Sequence, residues 1–500
     1  MSRIRNARWA SCAARIACSA LAGAVVLAQA PPPSPFAKSL ALRTDRIVAD
    51  SSHVAVAWLT QTSPATYAAT GPLRLRMALV PWEGDATVVK DLGSVAVYGG
   101  DLAATPVPVV ADVRGVADGY YRYRGELHDG DALLATLERP VVLVAGLESK
   151  QAAVTLRLAK IQGHDSAKAT VLYPFDLARV INIGKRVFGS NNSAPEFGLS
   201  QAGVQQRYDF PAGLKRSSDL LTTLEAGRDS LWRAKGESVR HYHMAEADEI
   251  LPYHVFVPSS WDGRSALPLV FILHGNSRDQ DFYFDRDDHI IPKTAAKHGF
   301  MLVAPLGYWP NGGYNYVPFT RERGARAVAA APQQFGPSPA APPANGGRGA
   351  GAAGGVNGSV TPALVRAEWS EQDAMHVFDL VKQEYPIDPK RTFLFGYSAG
   401  GQGAHYFAQK YAGNWVAVAI GGSGATAGPY YDSAKIGRTP MLLVSGAVDP
   451  ALNATRAMAQ ALKEKGVDVS FKEYAGQNHD TTPGAATPDI FAFFAAHARQ

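Results

Sequence analysis

Two hydrophobic patterns follow one another along the chain and predict two different folds. Between residues 45 and 148, short runs alternate apolar and polar side chains and are separated by Gly, Pro and Asp. Alternation of this kind predicts half-buried strands, and it occurs at 54–60, 73–80, 93–99, 120–127 and 140–146. A series of short strands with frequent turns predicts an all-β sandwich.

From residue 236 the pattern changes to continuous apolar runs separated by helical segments. A hairpin comes first, and buried strands are then predicted at 268–275, 300–305, 391–397, 415–422, 441–446 and 469–474. Helices are predicted at 291–298, 370–385, 401–411, 451–465 and 488–498. Apolar strands that alternate with helices predict an α/β domain, with a mostly parallel sheet and flanking helices.

Three further segments fit neither pattern. Residues 31–44 begin with a Pro-rich stretch and are predicted to be a linker. Residues 149–235 are predicted to be a partly helical connection, with the clearest helix at 221–234. Residues 322–360 are mostly Ala, Gly and Pro and lack the apolar side chains for a core, so a disordered insertion is predicted. An inert insertion is favoured over a flap that gates the site.

The first thirty residues have the pattern of an export signal. A positively charged start is followed by an apolar stretch at 16–28 and by Ala28-Gln29-Ala30, which fits a small-residue cleavage pattern. The sequence therefore predicts a signal peptide at 1–30 and a periplasmic or extracellular protein. The alternative is an uncleaved N-terminal anchor. No later apolar run is long enough to span a membrane.

The composition excludes several kinds of chemistry. Both cysteines, Cys12 and Cys18, lie in the leader, so the exported chain has no thiol for a nucleophile, a thiolate metal site or a disulfide. The formal net charge is +5, and loss of the leader's four arginines leaves +1. With no basic run elsewhere, nucleic acid is not an expected partner.

One motif carries the predicted chemistry. Gly396-Tyr397-Ser398-Ala399-Gly400 matches G-x-S-x-G and lies between a buried strand and a helix. In that context the serine occupies a strained turn that presents its hydroxyl at the carboxyl edge of the sheet, and glycines are needed because side chains beside it would clash. Ser398 is therefore the predicted nucleophile, and a structural Gly-rich turn is the alternative.

A serine nucleophile needs a base, and the base needs an acid that orients it. Asp449 and His479 each follow a buried strand, so both are expected at the same sheet edge as Ser398. Their order, Ser then acid then His, is the order of this architecture. We predict a triad of Ser398, His479 and Asp449, with Asp480 and Asp432 as weaker alternatives for the acid.

The oxyanion that forms during acyl transfer needs hydrogen-bond donors. The His274-Gly275-Asn276 loop follows a buried strand, where such donors belong. We predict the backbone N–H groups of Asn276 and Ala399 as the donors, with His274 bracing the loop. No cofactor or metal is expected, because the paired histidines of the hairpin lack a third ligand nearby. The side chains considered for substrate contact are those of His274, Tyr397, Trp309 and Tyr314.

From about residue 235 to its end, just over half its length, the sequence resembles the α/β-hydrolases. It is most similar to the esterase branch with polyhydroxybutyrate depolymerases, feruloyl esterases and related predicted peptidases. The resemblance implies acyl transfer through a covalent intermediate on Ser398. The insertion at 322–360 and the lack of disulfides depart from the family pattern, so the substrate class does not carry over. The matching segments are ILPYHVFVPSSW, PLVFILHGN, GFMLVAPLGY, SEQDAMHVFDLVKQEYPIDPKRTFLFGYSAGGQGAHYFA, SGAVDP and GQNHD.

The sequence thus predicts an exported serine esterase of two domains. An immunoglobulin-like β-sandwich at 45–148 is joined through 149–235 to an α/β-hydrolase domain at 236–500. The expected substrate is a carboxylic ester, either a small molecule or a polymer, and the N-terminal domain is considered for polymer or surface binding. Two alternatives stay open: a serine peptidase with the same triad, and a binding or scaffold protein with a vestigial hydrolase domain.

Overall fold

The structure is a computed structural model, and it describes most of the chain beyond the leader. The described residues are 34–69, 71–82, 87–98, 102, 105–183, 208–276, 278–308, 313–315, 362–424 and 432–498. The predicted signal peptide, the predicted insertion at 322–360 and Trp309 lie outside the described residues. Within the described part, no helix has the length and apolar character needed to cross a bilayer.

Two antiparallel-rich sheets near the N-terminus share one apolar core. One has the order β1-β3-β6 and the other β2-β8-β7-β4-β5. Their inward side chains, such as Leu59, Leu75 and Leu143, belong to a single buried cluster, which makes this part a β-sandwich. The strands are β1 (Leu40–Thr44), β2 (Val48–Asp50), β3 (Ala55–Gln61), β4 (Leu73–Pro81), β5 (Lys90–Val97), β6 (Val107–Ala111), β7 (Gly119–Asp129) and β8 (Ala132–Val144).

The predicted linker at 31–44 is wrong over its described residues. A short helix, α1 (Pro35–Ser39), is followed directly by β1, which pairs with β3. Leu40 and Leu42 point into the sandwich core because they alternate with polar neighbours along the strand. The sandwich therefore begins near residue 40, and the neighbouring prolines concealed a strand of only five residues.

Among the described residues, three helices follow the sandwich: α2 (Leu147–Leu158), α3 (Asp165–Asn182) and α4 (Phe210–Glu225). The helix predicted at 221–234 is wrong over most of its length, since α4 ends at Glu225 and Gly227 adopts a φ of +71°, a left-handed conformation that ends helices. Helix α4 instead begins well upstream, where the Asp209 side chain accepts a hydrogen bond from Ala212 N at 3.0 Å.

Helix α3 is fixed to the domains on both sides. At its C-terminal end, Asn182 Oδ1 accepts hydrogen bonds from Ile47 N and Val48 N at 2.9 Å each. On its other side, Asp176 Oδ2 accepts from Ile250 N at 2.7 Å, and Ser166 Oγ donates to the His241 carbonyl at 3.0 Å. The predicted connection is therefore an integral part of the fold.

The C-terminal half contains an eight-stranded sheet of order β16-β15-β14-β13-β11-β12-β10-β9. The first six strands in that order are parallel to one another, and β10 and β9 run antiparallel as a hairpin. This confirms the predicted mostly parallel sheet. Its strands are β9 (Gly236–Met244), β10 (Glu249–Val257), β11 (Leu267–Leu273), β12 (Met301–Pro305), β13 (Ile387–Tyr397), β14 (Ala417–Gly421), β15 (Met441–Gly446) and β16 (Val469–Tyr474).

Helices cover both faces of this sheet. Strands β11, β12, β14 and β15 are buried at every position, and their alternate side chains enter two separate apolar cores. Because parallel strands end at one edge, the loops after β11, β13, β15 and β16 lie together. The helices are α5 (Phe282–Asp285), α6 (Ile290–His298), α7 (Pro362–Glu384), α8 (Ala399–Lys410), α9 (Leu452–Glu464) and α10 (Thr482–Ala496).

Candidate active site

Ser398 occupies a strained turn between β13 and α8. Its backbone has φ +60° and ψ −124°, a conformation that non-glycine residues adopt at a cost and that is concentrated at functional sites. Its N–H is held by the Gly421 carbonyl at 2.9 Å. The turn therefore presents a half-buried serine hydroxyl at the carboxyl edge of the sheet.

The two glycines of the motif are required by close backbone contacts. A Cβ on Gly396 would lie 2.0 Å from the Gly400 carbonyl oxygen, and a Cβ on Gly400 would lie 2.0 Å from the Leu273 carbonyl oxygen. Both distances are far inside van der Waals contact. The second contact also joins the serine turn to the end of β11, where the predicted oxyanion loop begins.

Asp449 and His479 form a hydrogen-bonded pair at the same edge. His479 Nδ1 lies 2.9 Å from Asp449 Oδ1 and 3.0 Å from Oδ2. Because a carboxylate only accepts, Nδ1 carries the proton in this contact, and Nε2 keeps a lone pair that can accept another proton. The Asp449 side chain is fully buried, and that of His479 is 36% exposed. The pair thus combines a fixed acid with an accessible base.

Tyr397, which precedes the serine, completes the contacts of the acid. Its hydroxyl donates to Asp449 Oδ2 at 2.9 Å, while Ala451 N donates to Oδ1 at 2.8 Å. The ring of Tyr397 also lies against the His479 imidazole, with centroids 5.1 Å apart. Burial raises the pKa of Tyr397, and the Asp449 charge raises it further, so the phenol keeps its proton and acts as a donor.

This position corrects the prediction that Tyr397 contacts substrate. The residue is 2% exposed, and its ring fills the space above Gly421 and Gly422, where a Cβ would come within 2.3 and 2.5 Å of it. Sequence reasoning missed the hydroxyl–carboxylate contact. The glycine pair at the end of β14, Gly421 and Gly422, was the available signal, because glycine in a strand often marks a place where another group approaches the backbone closely.

The weaker alternatives for the acid have other contacts. Asp480 is 74% exposed and its carboxylate lies 3.6 Å from Arg278. Asp432 is exposed and accepts a hydrogen bond from Ala434 N at 3.1 Å. Of the aspartates predicted as the acid, Asp449 is the one that contacts His479 in the described part of the chain.

The 274–276 loop lies against the serine. A Cβ on Gly275 would be 3.2 Å from Ser398 Cβ and 3.7 Å from Ser398 Oγ, so the loop passes directly beside the hydroxyl. Asn276, the next residue, is exposed to solvent. Ala399 is the first residue of α8, and its N–H is one of the four at a helix start that have no partner within the helix. The two predicted oxyanion donors thus lie on segments that flank the serine.

His274 and Tyr314 brace this loop from beneath, as predicted for His274, and this corrects the substrate contact that was considered for both. His274 is buried, with Nε2 at 2.7 Å from the Leu306 carbonyl oxygen and Nδ1 at 2.8 Å from that of Gly275. The buried Tyr314 hydroxyl accepts a hydrogen bond from His274 N at 3.0 Å. Both side chains support the predicted oxyanion loop and are covered from solvent.

No metal-binding group is found among the residues that the structure describes: three or more His, Cys, Asp or Glu side chains are nowhere arranged to hold an ion there. The two hairpin histidines have separate contacts. His241 is buried and its Nδ1 lies 3.2 Å from Thr170 Oγ1, whereas His243 is exposed and its Nε2 lies 3.3 Å from Asp248 Oδ1.

The chain was compared with known proteins. The model of the dienelactone hydrolase family matches residues 361–483, which include the serine turn, Asp449 and His479. No curated protein matches the sequence. Together with the eight-stranded sheet, the family match confirms the predicted α/β-hydrolase fold for the C-terminal half and supports a hydrolase of the esterase kind. The predicted likeness to polyhydroxybutyrate depolymerases stays a prediction.

Solved structures with a similar fold include several esterases. A thermostable esterase has 18% identity and a TM-score of 0.38, over 53% of this chain and 63% of that esterase. A ferulic acid esterase has 14% identity and a TM-score of 0.38, over 53% of this chain and 100% of the other. An S-formylglutathione hydrolase from Agrobacterium tumefaciens has 16% identity and a TM-score of 0.37, over 53% of this chain and 95% of the hydrolase.

Proposed function

We propose that this protein is an exported serine hydrolase that cleaves carboxylic esters through an acyl-serine intermediate. The observation that carries the proposal is the hydrogen-bonded Asp449–His479 pair, which follows parallel strands of the sheet whose strand β13 leads into Ser398 with its φ of +60°. This combination supplies a nucleophile, a base and an orienting acid. The chain's match to the dienelactone hydrolase family supports the same reaction class.

The proposed mechanism gives each of these groups one role. His479 Nε2 takes the proton of Ser398 Oγ as the oxygen attacks the ester carbonyl carbon. The carbonyl oxygen becomes an oxyanion, which the N–H groups of Asn276 and Ala399 stabilise by about 3–4 kcal/mol each. Asp449 keeps the imidazole in the Nδ1–H tautomer and stabilises the imidazolium.

The intermediate then collapses in two stages. The imidazolium gives its proton to the departing alkoxide, which leaves as an alcohol, and the acyl group remains on Ser398. Water, deprotonated by His479, attacks the acyl carbon through a second oxyanion. The acid leaves, Ser398 recovers its proton from His479, and the enzyme returns to its initial state without a cofactor.

The test is hydrolysis of short p-nitrophenyl esters by the purified protein. Ser398→Ala should abolish turnover, whereas Ser94→Ala, an exposed serine on β5 of the sandwich, should leave it unchanged. Ester turnover that survives Ser398→Ala would overturn the proposal. Hydrolysis of peptides in place of esters, lost in the same variant, would assign the triad to a peptidase.

Export is the second part of the proposal, supported by the leader pattern at 1–30. Fractionation of cells expressing the full chain should recover the protein outside the cytoplasm, with a new N-terminus near residue 31. Recovery in the cytoplasm with the leader intact would refute it. Recovery in the membrane fraction with the leader intact would favour an N-terminal anchor.

A further inference from the structure

A cavity of about 470 Å³ lies where helices α3 and α4 meet the catalytic sheet. Its volume is in the range of small-molecule binding sites. One side is formed by α3, α4 and the turn that follows them, and the other by β9, β10, the segment after β12 and the loop 279–281. All of its lining residues precede residues 361–483, the region that matches the dienelactone hydrolase family, and one side comes from helices that precede the C-terminal sheet.

The walls of the cavity are largely aromatic and aliphatic. Tyr173 packs on the ring of His241 with centroids 3.9 Å apart, and Tyr208 meets Tyr173 edge-on at 5.2 Å. Leu220 from α4 and Leu306 from the catalytic domain add apolar surface. Because these side chains pack on one another, the cavity is formed before any ligand enters it, and it favours an apolar or aromatic group.

The charged groups on the wall narrow the choice of ligand. Among the residues that the structure describes, four aspartates and one arginine line the cavity. An anionic group would therefore meet an excess of carboxylates, and like charges at short range disfavour binding. The cavity accordingly fits a neutral apolar group better than a phosphate, a sulfate or a free carboxylate.

The cavity and the serine share the edge of the sheet. Leu306 follows β12 directly and lines the cavity, and its carbonyl oxygen lies 2.7 Å from His274 Nε2 in the oxyanion loop. Strand β11 separates β12 from β13, which ends beside Ser398. Neighbouring strands lie about 4.8 Å apart, so the near wall of the cavity is roughly 10 Å from the serine.

We propose that this cavity is the subsite for the remote end of the ester substrate, an uncharged aromatic or aliphatic group about 10 Å from the scissile carbonyl. The proposal rests on the esterase function proposed above and adds to it the class of ester. Helices α3 and α4 thereby become part of the specificity machinery. Small esters such as acetates would leave the subsite empty.

The experiment narrows the cavity and measures substrate selectivity. Val239 lies on β9, lines the cavity and is 37% exposed, so Val239→Trp places an indole there without disturbing a packed core. Thr223→Phe, on α4, narrows the cavity from the opposite wall. This variant replaces Val239→Trp in the experiment if Val239→Trp fails to fold. The matched control is Val110→Trp, an exposed strand valine of the sandwich.

Two ratios of kcat/KM are measured in the full-length protein: p-nitrophenyl octanoate over acetate, and 2-naphthyl acetate over phenyl acetate. Filling the cavity should lower at least one of the two kcat/KM ratios about tenfold. Exclusion of two methylene groups of the substrate from an apolar site reduces its binding by roughly that factor. Val110→Trp should lower neither ratio. Binding of the neutral fluorophore N-phenyl-1-naphthylamine should weaken in parallel in the filled variants.

The outcomes separate the two proposals. A lowered ratio in Val239→Trp or Thr223→Phe, absent in Val110→Trp, supports the subsite. Unchanged ratios in folded variants overturn it, even if the fluorophore binds less tightly, because the cavity would then hold apolar ligands without receiving the substrate. If wild-type protein hydrolyses no ester, the esterase proposal itself fails, and fluorophore binding still reports whether the cavity takes apolar ligands.

Discussion

The contact between Tyr397 and Asp449 offers a sharp test of how the proposed catalytic acid is held. The substitution Tyr397→Phe removes one hydroxyl and keeps the ring that packs on Gly421, Gly422 and His479. Asp449 would lose the donor at 2.9 Å from Oδ2 and keep Ala451 N at 2.8 Å from Oδ1. The substitution also removes the hydrogen bond between the hydroxyl and the Thr482 side chain, so two hydrogen bonds are lost while the packing of the ring is kept.

The size of the effect follows from burial and charge. A hydrogen bond to a charged group contributes about 1.5–3 kcal/mol, and the buried Asp449 side chain has no solvent to replace it. The thermal transition of the catalytic domain should fall by about 2–4 °C for each kcal/mol lost. The value of kcat should fall about tenfold, which equals about 1.4 kcal/mol, because the acid that orients His479 is held by fewer groups.

The chain provides a matched control. The Tyr474 hydroxyl donates to Asp489 Oδ2 at 2.7 Å, but Asp489 also pairs with Lys472 at 2.6 Å and its side chain is 40% exposed. Water can replace the lost hydroxyl there, so Tyr474→Phe should cost less than about 1 kcal/mol and leave kcat within twofold. Both variants are compared by calorimetry and by the pH profile of ester hydrolysis.

One outcome would refute the reasoning. If Tyr397→Phe and Tyr474→Phe have the same kcat and the same pH profile, the hydroxyl does not position the acid. A loss of stability alone would assign Tyr397 a purely structural contribution. A lowered kcat with a shifted pH profile and a nearly unchanged KM supports a positioning role.

Three further predictions concern the same domain. Asp449→Asn should fold, and its kcat should be about 10³–10⁴-fold lower. Turnover near the wild-type value would indicate that Asp480 is the catalytic acid. Gly400→Ala places a Cβ 2.0 Å from a carbonyl oxygen and should prevent stable folding as judged by circular dichroism, whereas Gly413→Ala, with open space around it, should be tolerated. Burial lowers the pKa of His405 to about 4, so the unfolded chain binds the proton first as the pH falls. Stability should therefore drop by up to about 3 kcal/mol between pH 6.5 and 4, and urea midpoints for His405→Phe should show a flatter dependence.

The C-terminal sheet and the positions of Ser398, Asp449 and His479 relative to its strands could be predicted because their signals are local. A buried strand such as β15 is a continuous apolar run, and Ser398 carries its own strained-turn motif. Asp449 and His479 follow from their positions after strands, since topology brings those ends to one edge. The structure pairs these two side chains as the sequence predicted, while their catalytic roles stay proposals.

The parts that could not be predicted depend on contacts between distant residues. The Tyr397 hydroxyl meets an acid 52 residues away, and no local pattern distinguishes that arrangement from a substrate contact. Strand β1 was missed because five residues beside prolines acquire their strand character from pairing with β3. The cavity was missed because its walls come from separate segments.

The helix α3, fixed on both sides, also determines how this chain can change during evolution. Exchange of either flanking domain by recombination would break one of two hydrogen bonds. These are the bond from Val48 N to Asn182 and the bond from Ile250 N to Asp176. Each buried N–H left without an acceptor costs about 1–3 kcal/mol, a large part of a typical domain's stability. The sandwich, the helices and the C-terminal domain are therefore expected to be inherited as one unit, with new specificities arising by substitution within the chain.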